Sequence, residues 1–172
     1  MLIPESALPA YTILHVAISL AGIASGFVVL FGMIANKPLD GWTAFFLATT
    51  TATSVTGFGF PIKGMTPGLA LGVISLVVLA PVIYARYGRR LAGAWRGIFV
   101  IGAVVAFYLN FFVLIVQSFR KVPPLHDLAP QQNEPPFLIA QVVALVAFLV
   151  LGALAVKRFR PAPVRAVGPL NS

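Results

Sequence analysis

The chain has no cysteine and very little charge. Only 9% of its 172 residues are charged, against roughly 25% in soluble domains. A water-soluble globule covers its surface with charge, so a soluble fold is excluded. Without cysteine there are no disulfides, thiolate metal sites, iron–sulfur clusters or thioether-linked haem. Acids number four: Glu5, Asp40, Asp127 and Glu134. None of them, and no Lys or Arg, falls inside a long apolar run. Proton pumps and ion-coupled carriers place an ionisable side chain at membrane depth as the coupling group, which disfavours that class.

What is present is apolar length. Hydrophobic residues make up 59% of the chain, and a bilayer core is crossed by about 20 of them as helix. Cutting at the charges leaves the uncharged windows 6–36, 41–62, 64–85, 97–119 and 135–156. Trimmed at their ends, these predict five transmembrane helices over 11–35, 42–60, 67–85, 97–118 and 136–156. Punctuation agrees: Pro38 and Pro61 follow spans, while Pro67 and Pro136 suit first helical turns. Tyr11, Trp42, Tyr87 and Trp95 fall near span ends, where aromatic rings favour the headgroup region. The expected fold is therefore an all-α integral membrane helix bundle, a single domain over 1–156. A basic, Pro-rich tail over 157–172 is expected to be unstructured and cytoplasmic. The first run has no Lys or Arg before it and is too long for a signal-peptide core, so it is read as a retained helix.

The formal charge of +8 orients the bundle. With five spans, Lys37, Arg86, Arg89, Arg90, Arg96, Lys157, Arg158, Arg160 and Arg165 share one side, and Lys63, Arg120 and Lys121 the other. The richer side is cytoplasmic, which puts the N-terminus out and the C-terminus in. Arg86, Arg89, Arg90, Arg96 and the tail are expected to meet anionic lipid. Basic residues separated by apolar spans do not form a nucleic-acid surface.

Several polar positions stand out. His15, Ser19, Gly22 and Gly26 step by four, three and four, so they share one helical face. Paired with Gly68 and Gly72, and with Asn110 as interhelical glue, they read as packing seams for internal or homo- or hetero-oligomeric contacts. His15 is the sole ionisable side chain within a span. With Gln117, Gln141 and His126 it makes a candidate outward-facing ligand site. The ligand would be a small molecule or a partner subunit; a quinone or haem at His15 is another alternative. Two histidines in the whole chain do not make a compact ligand set, so no metal site and no cofactor is predicted. No GxSxG, HExxH or phosphate-cradling glycine loop occurs, and the reading leans away from an enzyme.

The second window is the most polar, with Thr43, Thr49, Thr50, Thr51, Thr53, Ser54 and Thr56. Its end, Val55-Thr56-Gly57-Phe58-Gly59, resembles the filter of potassium channels, where a Thr-rich half-helix leads into TVGYG or TVGFG and carbonyls replace the ion's water. That resemblance implies a second architecture, four helices plus a re-entrant segment, and a channel or permease with Thr56, Gly57, Phe58 and Gly59 as constriction. Val55 stands where the filter has its first Thr, and Phe60 where an acid commonly follows. Along most of its length, through the early His15, the Thr/Gly-rich second segment and the Arg-rich third loop, the chain resembles small, functionally uncharacterised multi-helix inner-membrane proteins of bacteria. That resemblance implies a multi-pass protein of the bacterial inner membrane and carries over no functional residue.

Overall fold

The computed structural model describes residues 4–61 and 66–160, and among them it is all-helical, without strands. A short 3-10 turn, Glu5–Ala7, leads into α1, Leu8–Ile34. Then come α2, Asp40–Gly57, and α3, Pro67–Ile83, which continues as a π-turn over Tyr84–Gly88. After a tight loop, α4 runs Trp95–Lys121, the short α5 Pro123–Leu128, and α6 Pro135–Arg158.

The ends follow from local chemistry. At the end of α1, Asn36 takes the left-handed conformation (φ 55°). Its N–H donates to Met33 O at 3.0 Å, and the Lys37 N–H to Gly32 O at 2.8 Å. That double bond pattern closes a helix when the residue after the cap can turn left-handed, which Asn tolerates. Gly32 leaves room for the returning chain, since a Cβ there would sit 2.8 Å from Leu39. At the start of α3, the Thr66 hydroxyl accepts from the Leu69 N–H, and Pro67 occupies a first-turn position where no donor is needed. Pro123, Pro124 and Pro135 hold first-turn positions of α5 and α6 likewise, without a side-chain cap.

The five long helices alternate in direction. Gly32 of α1 meets Leu39 just before α2, while Tyr11 and His15 at the other end of α1 bond Thr56 at the end of α2. Gly72 early in α3 lies against Phe58, and Val82 near its end against Gly102 early in α4. Phe119 late in α4 packs on Phe137 early in α6, and Phe159 returns to Phe99. The ends therefore sort into two sets. One holds Asn36, Asp40, Arg86, Arg96 and Phe159; the other holds Tyr11, Phe60, Phe119 and Phe137.

Four of these helices, α1, α3 with its π-turn, α4 and α6, are long and apolar enough to cross a membrane; α2 falls short of that by composition. Its 18 residues reach about 27 Å at 1.5 Å per residue. It is one continuous helix packed beside α1. The core is aromatic and centred on Phe107, which is edge-to-face with Phe27 at 4.9 Å and Phe148 at 4.8 Å. Outward faces are apolar too: Ile139, Val142, Val143, Val146, Leu149 and Val150 of α6 are all exposed, as suits a hydrocarbon surround.

The helix ends depart from the sequence windows: α2 stops at Gly57, short of the expected 60, while α4 outruns its window at both ends. α4 starts at Trp95 and ends at Lys121, because a charged side chain terminates an apolar window without terminating a helix. The segment expected to be unstructured from Lys157 begins instead as the last turn of α6. Phe159 is buried against Phe99, and the Arg160 N–H donates to Asn36 Oδ1 at 2.7 Å. The rest of that tail, and Lys63, lie outside the described residues.

Candidate functional site

The polar residues that sequence reading treated as two features meet in one place. His15 on α1 points at the last turn of α2, where its Nδ1 lies 2.7 Å from Thr56 Oγ1. One turn earlier on the same face, the Tyr11 hydroxyl donates to the Thr56 carbonyl at 2.6 Å. The chain then turns through Phe58 and Gly59, with the Gly59 N–H donating to the same carbonyl at 3.1 Å. That turn brings Phe60 back over α1, edge-on to both Tyr11 and His15 with ring centroids 5.1 Å apart in each case. His15, Tyr11, Thr56 and Phe60 are all half-buried. The cluster stands at the end of the bundle remote from Asp40 and Arg86.

The hydroxyls within it are committed locally. Thr56 Oγ1 donates back to Ala52 O at 2.7 Å, and Ser19 Oγ to His15 O at 2.7 Å. Such back-bonding lets a hydroxyl sit in an apolar helix without a tertiary partner. Tyr11, Thr56 and Phe60 were not singled out as partners of His15, although the four-residue step from Tyr11 to His15 is visible in the sequence. What it hides is which turn of which other helix lies opposite.

The remaining candidate ligand residues are elsewhere. Gln141 is buried on α6 and faces α4, its Nε2 reaching Phe112 O at 3.5 Å, the outer limit of a hydrogen bond. Gln117 on α4 and His126 on α5 are exposed. Among the described residues no hydrogen bond joins any two of His15, Gln117, Gln141 and His126. The loop bearing His126 is tied down from other positions: Gln132 Nε2 donates to Val116 O at 2.8 Å, and Ala129 is fully buried. Glu134 receives the N–H groups of Gln131 and Asn133, each at 3.0 Å. Desolvation works to raise its pKa, but these and neighbouring backbone N–H groups outweigh it and hold the carboxyl below its ordinary value.

The glycines differ among themselves. A Cβ on Gly26 would lie 2.7 Å from the Phe107 ring, and one on Gly22 3.2 Å from Asn110 Nδ2, so both glycines let α4 approach α1 closely. Gly72 makes ordinary contact with Phe58, whereas nothing lies within 4 Å of a Cβ on Gly68. Gly22 also borders Thr49 and Thr50, forming a polar layer about 10 Å deeper than His15 at 1.5 Å per residue. There Asn110 Nδ2 and Thr50 Oγ1 are buried with no hydrogen-bond partner among the described residues.

Thr56 and Gly57 are helical, and the turn at Phe58 and Gly59 donates its N–H groups to the carbonyls of Val55 and Thr56 at 3.1 Å each. A potassium filter needs those carbonyls free and in extended register. Here they close a helix end.

At the opposite end the arginines divide. Arg86 pairs with Asp40 in the first turn of α2 and lies over the Phe99 ring at 5.5 Å. Arg96 donates to the carbonyls of Val156 at 3.0 Å and Phe159 at 2.6 Å, capping α6. Both guanidinium groups are thus engaged inside the bundle. Arg89 and Arg90 are exposed, with Arg89 over Trp95 at 5.6 Å.

Comparison of the chain with protein-family models, with curated proteins and with solved structures finds no significant match to any of them.

Proposed function

We propose that the chain is a non-enzymatic, multi-pass membrane protein of five spans, with its N-terminus outside, whose His15 cluster recognises a small ligand or a partner subunit. The observation that carries this is the convergence of Tyr11, His15 and Phe60 on Thr56 at the end of the bundle poor in positive charge. Half-buried aromatic walls around a single imidazole are the composition of a binding site: mostly apolar, with one polar group that fixes orientation.

Five spans are supported by the course of α2 alongside α1 and by the distribution of charge. Among the described residues, Lys37, Arg86, Arg89, Arg90, Arg96, Lys157, Arg158 and Arg160 lie at the Asp40 end, and Arg120 and Lys121 at the other. The Asp40 end is then cytoplasmic, and the membrane is the inner membrane of a bacterium. The low hydropathy of α2 is tolerable because α1, α3 and α4 pack against it and Thr43, Thr50 and Ser54 are buried. Of the four loop arginines, Arg89 and Arg90 are left to meet anionic lipid, together with the basic C-terminal segment from Lys157. Gly68 has nothing within 4 Å of its Cβ position among the described residues, which leaves it open to an intersubunit contact.

The test is native mass spectrometry of protein released from native-lipid nanodiscs, wild type against His15→Ala. Recognition at His15 predicts a bound small molecule or chain in the wild type that the variant lacks. The reading fails when both carry the same complement.

A further inference from the structure

We propose that Thr56 holds neutral His15 in its Nδ1–H form, so that the site presents Nε2 as a bare acceptor and takes a neutral hydroxyl-bearing amphiphile. The inference rests on the His15 cluster being a recognition site and gives that site its ligand chemistry.

The argument is a count of protons. Thr56 Oγ1 lies 2.7 Å from Ala52 O, and two oxygens that close need a proton between them. Threonine has one hydroxyl proton, and this contact takes it. Oγ1 also lies 2.7 Å from His15 Nδ1, a contact that again needs a proton. Only Nδ1 can supply it. In the neutral ring the other nitrogen then carries a lone pair in the ring plane.

Nothing in the cluster answers that lone pair. The Tyr11 proton goes to Thr56 O at 2.6 Å and the Ser19 proton to His15 O at 2.7 Å. Among the described residues His15 has no hydrogen-bond donor at Nε2, and the residue is half-buried, so part of it is accessible. The ring is pinned edge-on to Phe60 at 88°, which fixes the lone-pair direction. A ligand that donates gains a hydrogen bond there; an ether or ketone of the same shape leaves two acceptors facing each other. The four side chains of the cluster include no carboxylate to offset an ammonium, which favours a neutral hydroxyl. Aromatic walls at a span end favour an amphiphile that partitions into the interface.

The experiment uses full-length His126→Ala protein, in which His15 is the sole histidine, labelled with 15N-histidine in lipid nanodiscs and kept where the ring is neutral. The expected spectrum shows a protonated Nδ1 and an unprotonated Nε2. Thr56→Ser should keep that pattern, and Thr56→Val should let the ring revert to the Nε2–H form that free imidazole side chains favour. The probes are 4-tert-butylphenol and its methyl ether. Phenol should shift the Nε2 resonance saturably and the ether should not. A protonated Nε2 in the Thr56 protein, or equal responses to the two probes, overturns the inference. A protonated Nε2 alongside a bound species lost in His15→Ala sinks the inference and leaves recognition standing. The expected tautomer with no His15-dependent bound species sinks recognition instead.

Discussion

At Gly26, α1 packs against α4 with only a hydrogen atom for a side chain. A Cβ added at Gly26 would meet Phe107 ring carbons at 2.7, 2.8 and 2.9 Å, where carbon atoms pack comfortably at about 3.5–4.0 Å. Phe107 is 1% exposed and boxed by Phe27, Phe46, Phe111 and Phe148, so the ring has nowhere to swing. Forcing a methyl into such a core costs about 1–3 kcal/mol. Alanine also favours helix over glycine by about 1 kcal/mol, and this gain must be removed before the clash is read. Gly97→Ala in α4 supplies the reference, because nothing lies within 4 Å of its Cβ. The stability of Gly26→Ala should thus fall below that of Gly97→Ala by about 1–3 kcal/mol, the packing term alone. Reversible unfolding in mixed micelles measures it. Phe107→Leu in the Gly26→Ala background should recover part of the loss by relieving the contact. If Gly26→Ala is as stable as Gly97→Ala, the close packing of α1 on α4 at Phe107 is refuted.

Other outcomes follow from single contacts. Arg96→Met removes the two guanidinium bonds that close α6; with charge-assisted bonds contributing about 1.5–3 kcal/mol, amide exchange at Ala155 to Arg160 should rise about tenfold or more, while that of α1 stays unchanged. Glu134 has a folded pKa below the ordinary 4.5, so its contribution is complete above that value and is lost as pH falls through the folded pKa. Acidification should accordingly loosen the Gln131–Asn133 amides in the wild type but not in Glu134→Gln, whose amides should be equally loose at neutral pH; an identical acid response in both proteins would refute this. Asn110→Leu should leave the bundle at least as stable as the wild type, because the buried Nδ2 has no partner to lose among the described residues; a loss above about 1 kcal/mol would reveal a hydrogen bond of the usual interhelical strength.

Most of the fold was legible because apolar length is a one-dimensional signal. Windows such as 97–119 locate α4, and prolines locate the starts of α3 and α6. Ends were less legible, since charges such as Arg96 and Lys157 interrupt a hydropathy window yet stay in the helix to cap or extend it. The threonines of α2 were the hardest case. Their hydroxyls lower hydropathy, but Thr49, Ser54 and Thr56 satisfy theirs on the preceding turn of the same helix, which composition does not record. The site was half visible. His15 stands out as an ionisable group in an apolar run, and Thr56 within a glycine-rich motif. That they belong together depends on the antiparallel register of α1 and α2, set by the turn at Asn36 and the Leu39–Gly32 contact, neither of which has a sequence period. Gln141 has the same apparent depth as His15 on its own helix, but depth does not specify azimuth: Gln141 faces α4.

The central claim is that α2 crosses the membrane and leaves the His15 cluster outside. The native absence of cysteine makes the test clean: Lys37→Cys and Pro61→Cys, both at exposed positions flanking α2, are labelled separately in intact cells with a membrane-impermeant maleimide. The account predicts rapid labelling at position 61, and at position 37 only after the membrane is permeabilised. Labelling of both from the same side would contradict it.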